Sequence, residues 1–548
     1  VRHDRGMDRR RAAGGLGTGS ASAPDRPQHD SATIPAVLAE RARRDGARLA
    51  VIAPGQLTYA ELAAAAQRVT RAVLARSVRP GDRVAIWAPN TPRWIVAALG
   101  VLGAGATLVP IGTRLRGPEA ADILARTRCR MLLTVGAFLG VDYPEMLRQA
   151  GRSLPELRTT VLLDEVSEDF SWSRFLALGD EVSVAEACAR SRSVHPDSVS
   201  DILFTSGTTG IPKGVPSTHR QTIEAFSHWA DAVTLSGEDR YLLVNPFSHT
   251  FGYKAGIIAC LLRGAAMAPM DRFEPEQVFD VIERRQITVL TGPPTLFHDL
   301  LAHGGPVGRD LSSLRLAGTG GSSVPTESVE RIRRELGVEK VFTGYGLTES
   351  TGVATVCTPD APARLLAATA GKALPGVRIR IVDDSGRPLP VGSPGEIVIS
   401  GPNVMHGYLD DPAATTSAID SGGWLHTGDI GTLDTDGYLR ITDRRTDTFI
   451  VGGFTVHPAE IERILHTRPD IAEAAVVGVP DARLGEVAHA YVVPHGLTEI
   501  DPAEIIAWSR TRMAGFKTPR HIEVVAALPR NASGKVLKRV LRSQGSQS

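Results

Sequence analysis

Surplus charge is almost absent from this chain of 548 residues: 61 Lys and Arg stand against 60 Asp and Glu, a formal net +1. That balance removes the electrostatic case for nucleic acid or an anionic membrane as partner. Cysteine is scarce too, and Cys129, Cys188, Cys260 and Cys357 lie far apart with no CxxC pair. Neither a zinc ribbon nor a disulfide framework is expected, and a reducing cytoplasm fits. Long hydrophobic runs are also missing. The longest apolar stretches, residues 94–112 and 257–269, are interrupted by Gly, Arg or Pro and read as a buried helix running into a strand, not as membrane spans. Residues 1–30 have no apolar signal-peptide core, and their Arg, Gly, Ser, Asp and Pro content predicts a disordered leader. A small molecule is left as the expected partner.

What is present is a regular alternation. Helix-period segments at 34–44, 59–75 and 94–102 alternate with short apolar runs at 84–87, 107–111 and 131–134. This texture predicts an α/β fold, with helices covering a parallel or mixed sheet. After about residue 375 short strands (377–382, 395–400, 438–442) between Gly, Pro and Asp turns suggest a small β-rich subdomain. The charged stretch 443–447 then reads as a hinge. Beyond it a compact α+β unit is expected from strands at 448–451, 471–477 and 487–493 and helices at 458–466 and 502–513. The expected organisation is a leader (1–30), a large domain (31–442), the hinge (443–447), a small mobile domain (448–541) and a tail (542–548).

Several stretches carry chemistry. In LFTSGTTGIPKGV, an apolar strand end leads into Thr205, Ser206, Gly207, Thr208, Thr209, Gly210 and Lys213. Backbone amides, hydroxyls and one lysine in a short loop form an anion cradle. A Walker A loop is not met, because Gly214 rather than a hydroxyl follows Lys213. YGLTE offers an aromatic face (Tyr345), a glycine allowing close backbone approach (Gly346), a hydroxyl (Thr348) and a carboxylate for a hard cation (Glu349). The same five residues also read as a helix start capped by Thr348. Gly320, Gly321 and Ser322 follow a strand-like run and fit the wall of a base pocket, while Asp429 sits in a glycine-bounded turn. Lys535 lies in PRNASGK, where a solvated lysine is the plain reading.

Taken in order, SGTTGIPKGV, YGLTES, HTGDIG, ITDRRTDTFIVGGF and PRNASGK resemble the adenylate-forming superfamily of acyl-CoA synthetases, luciferases and peptide-synthetase adenylation domains. The resemblance covers about residues 34–541. It implies an AMP-forming acid–thiol ligase using ATP, Mg2+ and coenzyme A, in which a carboxylate attacks the α-phosphorus of ATP and a thiol then displaces AMP. By resemblance, Thr205 to Lys213 would hold pyrophosphate, Thr348 would meet the α-phosphate and Glu349 would bind magnesium. Tyr345, Gly346, Gly320, Gly321 and Ser322 would enclose adenine, with Asp429 and Arg444 at the ribose. Lys535 would bridge the carboxylate and the α-phosphate. Rotation about Thr446 would then replace Lys535 with Gly452, Gly453 and Phe454 at the thiol tunnel.

An acyl pocket is implied for Phe247, His249, Phe251, Gly252, Lys254 and Gly344, with His249 read either as its gate or as a satisfied structural histidine. An amino-acid-activating relative would place an aspartate in 245–256 to meet the ammonium group, and none is there. The stretches NPFSHTFGYKAGI, ITVLTGPPTLF and RLGEVAHAYVV resemble actinobacterial CoA ligases for bulky alicyclic propanoates such as steroid ring fragments, and terpenoid acids have similar shape. A polycyclic, mostly apolar acid is therefore expected, with free CoA as the thiol and a homodimer compatible with the sequence. Asp443, Thr446, Thr455 and His457 depart from the usual hinge and loop pattern, so one half-reaction is expected to be weaker than the other. The alternatives are an enzyme efficient in only one half-reaction and a nucleotide-binding protein without turnover.

Overall fold

The structure is a computed structural model. It describes residues 33–164, 171–205, 212–302, 308–320, 326–383, 385–444, 448–494, 500–529, 536 and 538–545. The helices start where side chains can satisfy free backbone amides. Thr33 caps Ile34–Arg44, and Thr58 with Glu61 forms a reciprocal capping box for Tyr59–Ala75. In the second helix Leu62, Ala66, Val69 and Val73 recur at helical spacing and are buried. Helix Pro92–Gly103 packs hard against it, since a Cβ at Gly100 would lie 2.4 Å from the Val69 Cβ. Only glycine permits that approach.

Three sheets of four or more strands build the described large N-terminal part, beside a short hairpin of Ala137–Phe138 and Val141–Asp142. One has nine strands, running from Lys372–Ala373 at one edge through Lys340–Tyr345, Leu316–Gly320 and Val289–Gly292 to Leu49–Val51 and Leu57–Thr58 at the other. A second has six, with Lys213–Thr218 at its edge beside Val199–Thr205. Their central strands pair parallel and are buried on both faces, as the continuous apolar runs predict. The third is the expected β-rich unit: Arg378–Val382, Gly395–Ser400, Leu425–Leu433 and Leu439–Arg444 pair antiparallel in that order. The C-terminal unit wraps helices Pro458–Leu465 and Pro502–Arg510 against a five-stranded sheet with its own apolar core around Val456, Ile461, Val476 and Val492.

Asp443 and Arg444 continue the last strand of the third sheet, while the remaining positions of the expected hinge, Thr446 among them, lie outside the described residues. No described helix is long and apolar enough to cross a membrane. All four cysteines are free; Cys129, Cys260 and Cys357 are buried.

Candidate functional site

Strand ends from all three sheets of the large part meet at one place. Val199–Thr205 and Lys213–Thr218 pair antiparallel with Thr205 opposite Lys213, so the loop between them leaves and returns at one sheet edge. Lys213 therefore opens a strand, whereas the sequence pattern put it within the loop. Ser206, Gly207, Thr208, Thr209 and Gly210 lie outside the described residues.

Glu349 sits in the 3-10 turn Thr348–Ser350, just after strand Lys340–Tyr345. This turn replaces the helix start that the sequence also allowed, with Leu347 and not Thr348 at its cap. One Glu349 oxygen, Oε1, accepts hydrogen bonds from Tyr408 Oη at 2.9 Å and Thr205 Oγ1 at 3.5 Å. Lys213 Nζ lies 4.8 Å from the centre of the Tyr408 ring. Burial pushes the Glu349 carboxyl pKa up, opposed by its hydrogen bonds and by the Lys213 charge. Both side-chain hydroxyls thus fall on Oε1. A half-buried carboxylate with a lysine nearby suits a hard cation that takes its other ligands from phosphates and water. Among the described residues no group of three or more His, Cys, Asp or Glu could hold a metal unaided.

Next to this cluster, Tyr345 Oη donates to Asp429 Oδ2 at 2.7 Å. Asp429 lies within strand Leu425–Leu433 rather than in the expected turn, and its backbone partner is Arg444. Gly320 and Gly344 are register partners, and a Cβ at Gly320 would come 3.1 Å from the Gly344 carbonyl oxygen. At Gly346 a Cβ would lie 2.4 Å from the Val353 Cα, so the chain following Tyr345 is confined to glycine. Gly321, Ser322 and Lys535 fall outside the described residues.

The expected acyl pocket divides. His249 is exposed, yet surrounding protein lowers its imidazole pKa, a combination that fits the wall of a deep cleft. Its Nδ1 accepts from Phe251 N at 3.3 Å, which in the neutral ring leaves the proton on Nε2. The following residue adjoins the Glu349 turn, because a Cβ at Gly352 would lie 2.7 Å from the Thr250 Cβ. Two of the expected lining residues lie in the core instead. Phe247 packs on Trp94 with ring centroids 5.0 Å apart, and Lys254, in the π-helix Tyr253–Ile258, is fully buried with Asp201 at 3.0 Å. A buried ammonium needs such a partner, and no local pattern around Lys254 reveals one. Gly252 serves packing: a Cβ there would lie 2.2 Å from the Pro246 carbonyl oxygen. Tyr408 was not singled out from the sequence, because no spacing rule links it to a glutamate 59 positions earlier.

In the C-terminal unit, Gly452 and Gly453 form the turn between strands Phe449–Val451 and Phe454–Val456. This turn abuts the large part. A Cβ at Gly453 would lie 2.6 Å from the Pro293 Cβ, and the Arg114 guanidinium stands 4.9 Å from the Phe454 ring centre.

Residues 38–409 match the family described as AMP-binding enzyme, and residues 460–535 match the AMP-binding enzyme C-terminal domain. Over 518 residues (94% of this chain, 100% of the relative) the sequence is 48% identical to a 3-[(3aS,4S,7aS)-7a-methyl-1,5-dioxo-octahydro-1H-inden-4-yl]propanoyl:CoA ligase of Mycobacterium tuberculosis. A Rhodococcus jostii ligase of the same name is 46% identical over 520 residues, covering 93% of this chain and 98% of its own. Among solved structures, o-succinylbenzoate CoA synthetase from Bacillus subtilis, a double mutant bound with its product analogue OSB-NCoA, aligns at TM-score 0.80 and 30% identity, covering 94% of this chain and 99% of that one. The same enzyme in complex with AMP aligns at 0.64 and 30% identity, covering 94% and 98%.

Proposed function

The chain belongs to the AMP-binding enzyme family, and from that premise we propose that its acid is bulky and polycyclic, of the steroid-fragment propanoate kind. The enzyme is an ATP-dependent, AMP-forming acyl-CoA ligase using ATP, Mg2+ and CoA. The acid is inferred from the near full-length identity to two ligases named for a fused-ring dione propanoate. The exposed His249 beside the Glu349 turn supports an acid cleft next to the nucleotide. Cytoplasmic location and the hinge at 443–447 belong to the same reading.

The observation that carries the residue roles is the meeting of Thr205, Lys213, Glu349 and Tyr408 beside the Tyr345–Asp429 pair. In this reading Lys213 and Thr205 hold the β- and γ-phosphates, and the Glu349 carboxylate would hold the magnesium ion, which when bound would supply neutralisation of phosphate charge. Thr348 meets the α-phosphate, and Asp429 accepts from the ribose hydroxyls near Arg444. Adenine lies on Tyr345, walled by Gly320, Gly321 and Ser322. A carboxylate oxygen of the acid attacks the α-phosphorus and pyrophosphate leaves, with Lys535 offsetting the repulsion between the two anions. The CoA sulfur, as thiolate, then attacks the acyl carbonyl and AMP leaves, with Gly452, Gly453 and Phe454 bordering the thiol's path. His249, with Phe251 and Gly344, borders the acyl chain.

Incubation with ATP, Mg2+, CoA and a panel of polycyclic, aromatic and linear acids tests this. AMP and acyl-CoA are expected with fused-ring propanoates. Acyl-AMP alone would mean that only adenylation is efficient. Thioester from supplied acyl-AMP, without exchange of pyrophosphate into ATP, would mean the reverse. No product from any acid would leave a nucleotide-binding protein, and preference for linear acids would overturn the acid assignment.

A further inference from the structure

One buried cation joins the two parts of the chain. Lys517, in the C-terminal unit, donates from Nζ to Glu460 Oε1 at 2.7 Å and to Glu119 Oε1 at 2.8 Å. Glu460 belongs to helix Pro458–Leu465 of the same unit, whereas Glu119 lies in helix Gly117–Arg126 of the large part. The side chains of Lys517, Glu460 and Glu119 are 6%, 2% and 10% exposed. In so dry a place an ion pair is weakly screened, and losing one partner has a large effect.

The cluster is placed to control the Gly452–Gly453 turn. Phe516, next to Lys517, stacks on Phe454 with centroids 4.5 Å apart, and Arg114 covers Phe454 from the large part. The loop that carries Arg114 begins at Gly112, where a Cβ would lie 3.3 Å from Ser248 Oγ, beside His249. Residues 112–119 thus lie between the cleft beside His249 and the Lys517 cluster, touching both the glycine-turn strand through Arg114 and Lys517 through Glu119. The Arg483–Asp299 pair also crosses between the parts, but at 3.4 Å and with Arg483 56% exposed it is loose.

We propose that Glu119 is a positioning residue for thioester formation, its carboxylate latching Lys517 so that Gly452, Gly453 and Phe454 stay seated against Pro293 and Arg114. The proposal rests on the two-step reading above. Each departure of the small unit breaks the Glu119–Lys517 contact and keeps Lys517–Glu460, so the latch acts on the equilibrium between arrangements and not on the folding of either part. Glu119 Oε2 also accepts from Arg116 N at 2.8 Å, closing the helix cap. Glutamine serves in that cap as well, and Glu119→Gln leaves Lys517 and Glu460 as a balanced pair.

Glu119→Gln is expected to slow thioester formation from preformed acyl-AMP about tenfold or more, while pyrophosphate exchange stays within about twofold. Equal losses in both half-reactions, or none in either, would overturn the proposal. Arg483→Ala is the control and is expected to change neither step by more than about twofold. A second measurement first asks whether the two positions meet, and only then which half-reaction survives. In the full chain carrying Cys188→Ser, cysteines introduced by Glu119→Cys and Lys517→Cys should be joined by a short bismaleimide, with the joined protein losing pyrophosphate exchange and keeping thioester formation. No crosslink, or a crosslinked protein that still exchanges pyrophosphate, would overturn the latch. Failure of the unmodified chain to exchange pyrophosphate while the crosslink forms would instead count against the two-step reading.

Discussion

Glu349 and Lys213 carry opposite charges on either side of Tyr408, and the adenylation step depends on both in the proposed roles. Replacing either by a neutral isostere, Glu349→Gln or Lys213→Met, is expected to lower pyrophosphate exchange about a hundredfold or more, because each would remove charge stabilisation where the triphosphate is cleaved. Thioester formation from preformed acyl-AMP should fall far less, and comparing the two rates checks the assignment. A different residue governs acid stability. His219 is buried, accepts from Ile34 N at 3.3 Å, and burial lowers its pKa to about 4. Its folded pKa lies below the unfolded value, so the unfolded chain binds the proton first and stability falls as pH drops. Between pH 7.5 and 5 this single group is expected to remove about 2 kcal/mol. His219→Asn keeps an acceptor for Ile34 without titrating, so its melting temperature should fall less over that range; an unchanged pH slope would contradict the account.

At the scale of elements, much was legible because local signals agree with the final fold. Helices Ile34–Arg44 and Tyr59–Ala75 and strands Met131–Thr134 and Gly395–Ser400 fall at the boundaries that caps, apolar spacing and turn residues indicate. The misplacements have physical reasons. Asp429 looked like a turn residue because glycines flank it, yet pairing with Leu439–Arg444 extends the strand, with a register shift absorbed between Ile430 and Gly431. Lys254 looked like a pocket residue because its partner Asp201 is 53 positions away, beyond any local pattern. Glu119, Tyr408 and Lys517 were silent for the same reason. Two glycines test the close approaches directly. Gly100→Ala should lower the melting temperature by several degrees, because its Cβ would overlap Val69. Gly346→Ala should raise KM for ATP about tenfold by displacing Tyr345 from Asp429. An unaltered KM would mean that this turn does not set the nucleotide site.

Across the whole molecule, two units with separate cores meet at a partly ionic seam. Separate cores let the small unit move as a body, and a polar seam makes alternative arrangements close in energy. The chain aligns more closely with a CoA-product-analogue complex of its structural relative than with an AMP complex of the same enzyme, at TM-scores 0.80 and 0.64. Asp443, Thr446, Thr455 and His457 fall on the proposed hinge and the adjoining loop, so any effect of these residues is expected on the balance of the two steps and not on nucleotide affinity. The central claim is that one cleft brings a nucleotide and a fused-ring carboxylic acid together for ligation to CoA. The most direct measurement is exchange of labelled pyrophosphate into ATP with and without a fused-ring propanoate, followed by addition of CoA. The account predicts exchange that requires the acid and an acyl-CoA product once CoA is present; exchange indifferent to the acid, or AMP released with no thioester formed, would contradict it.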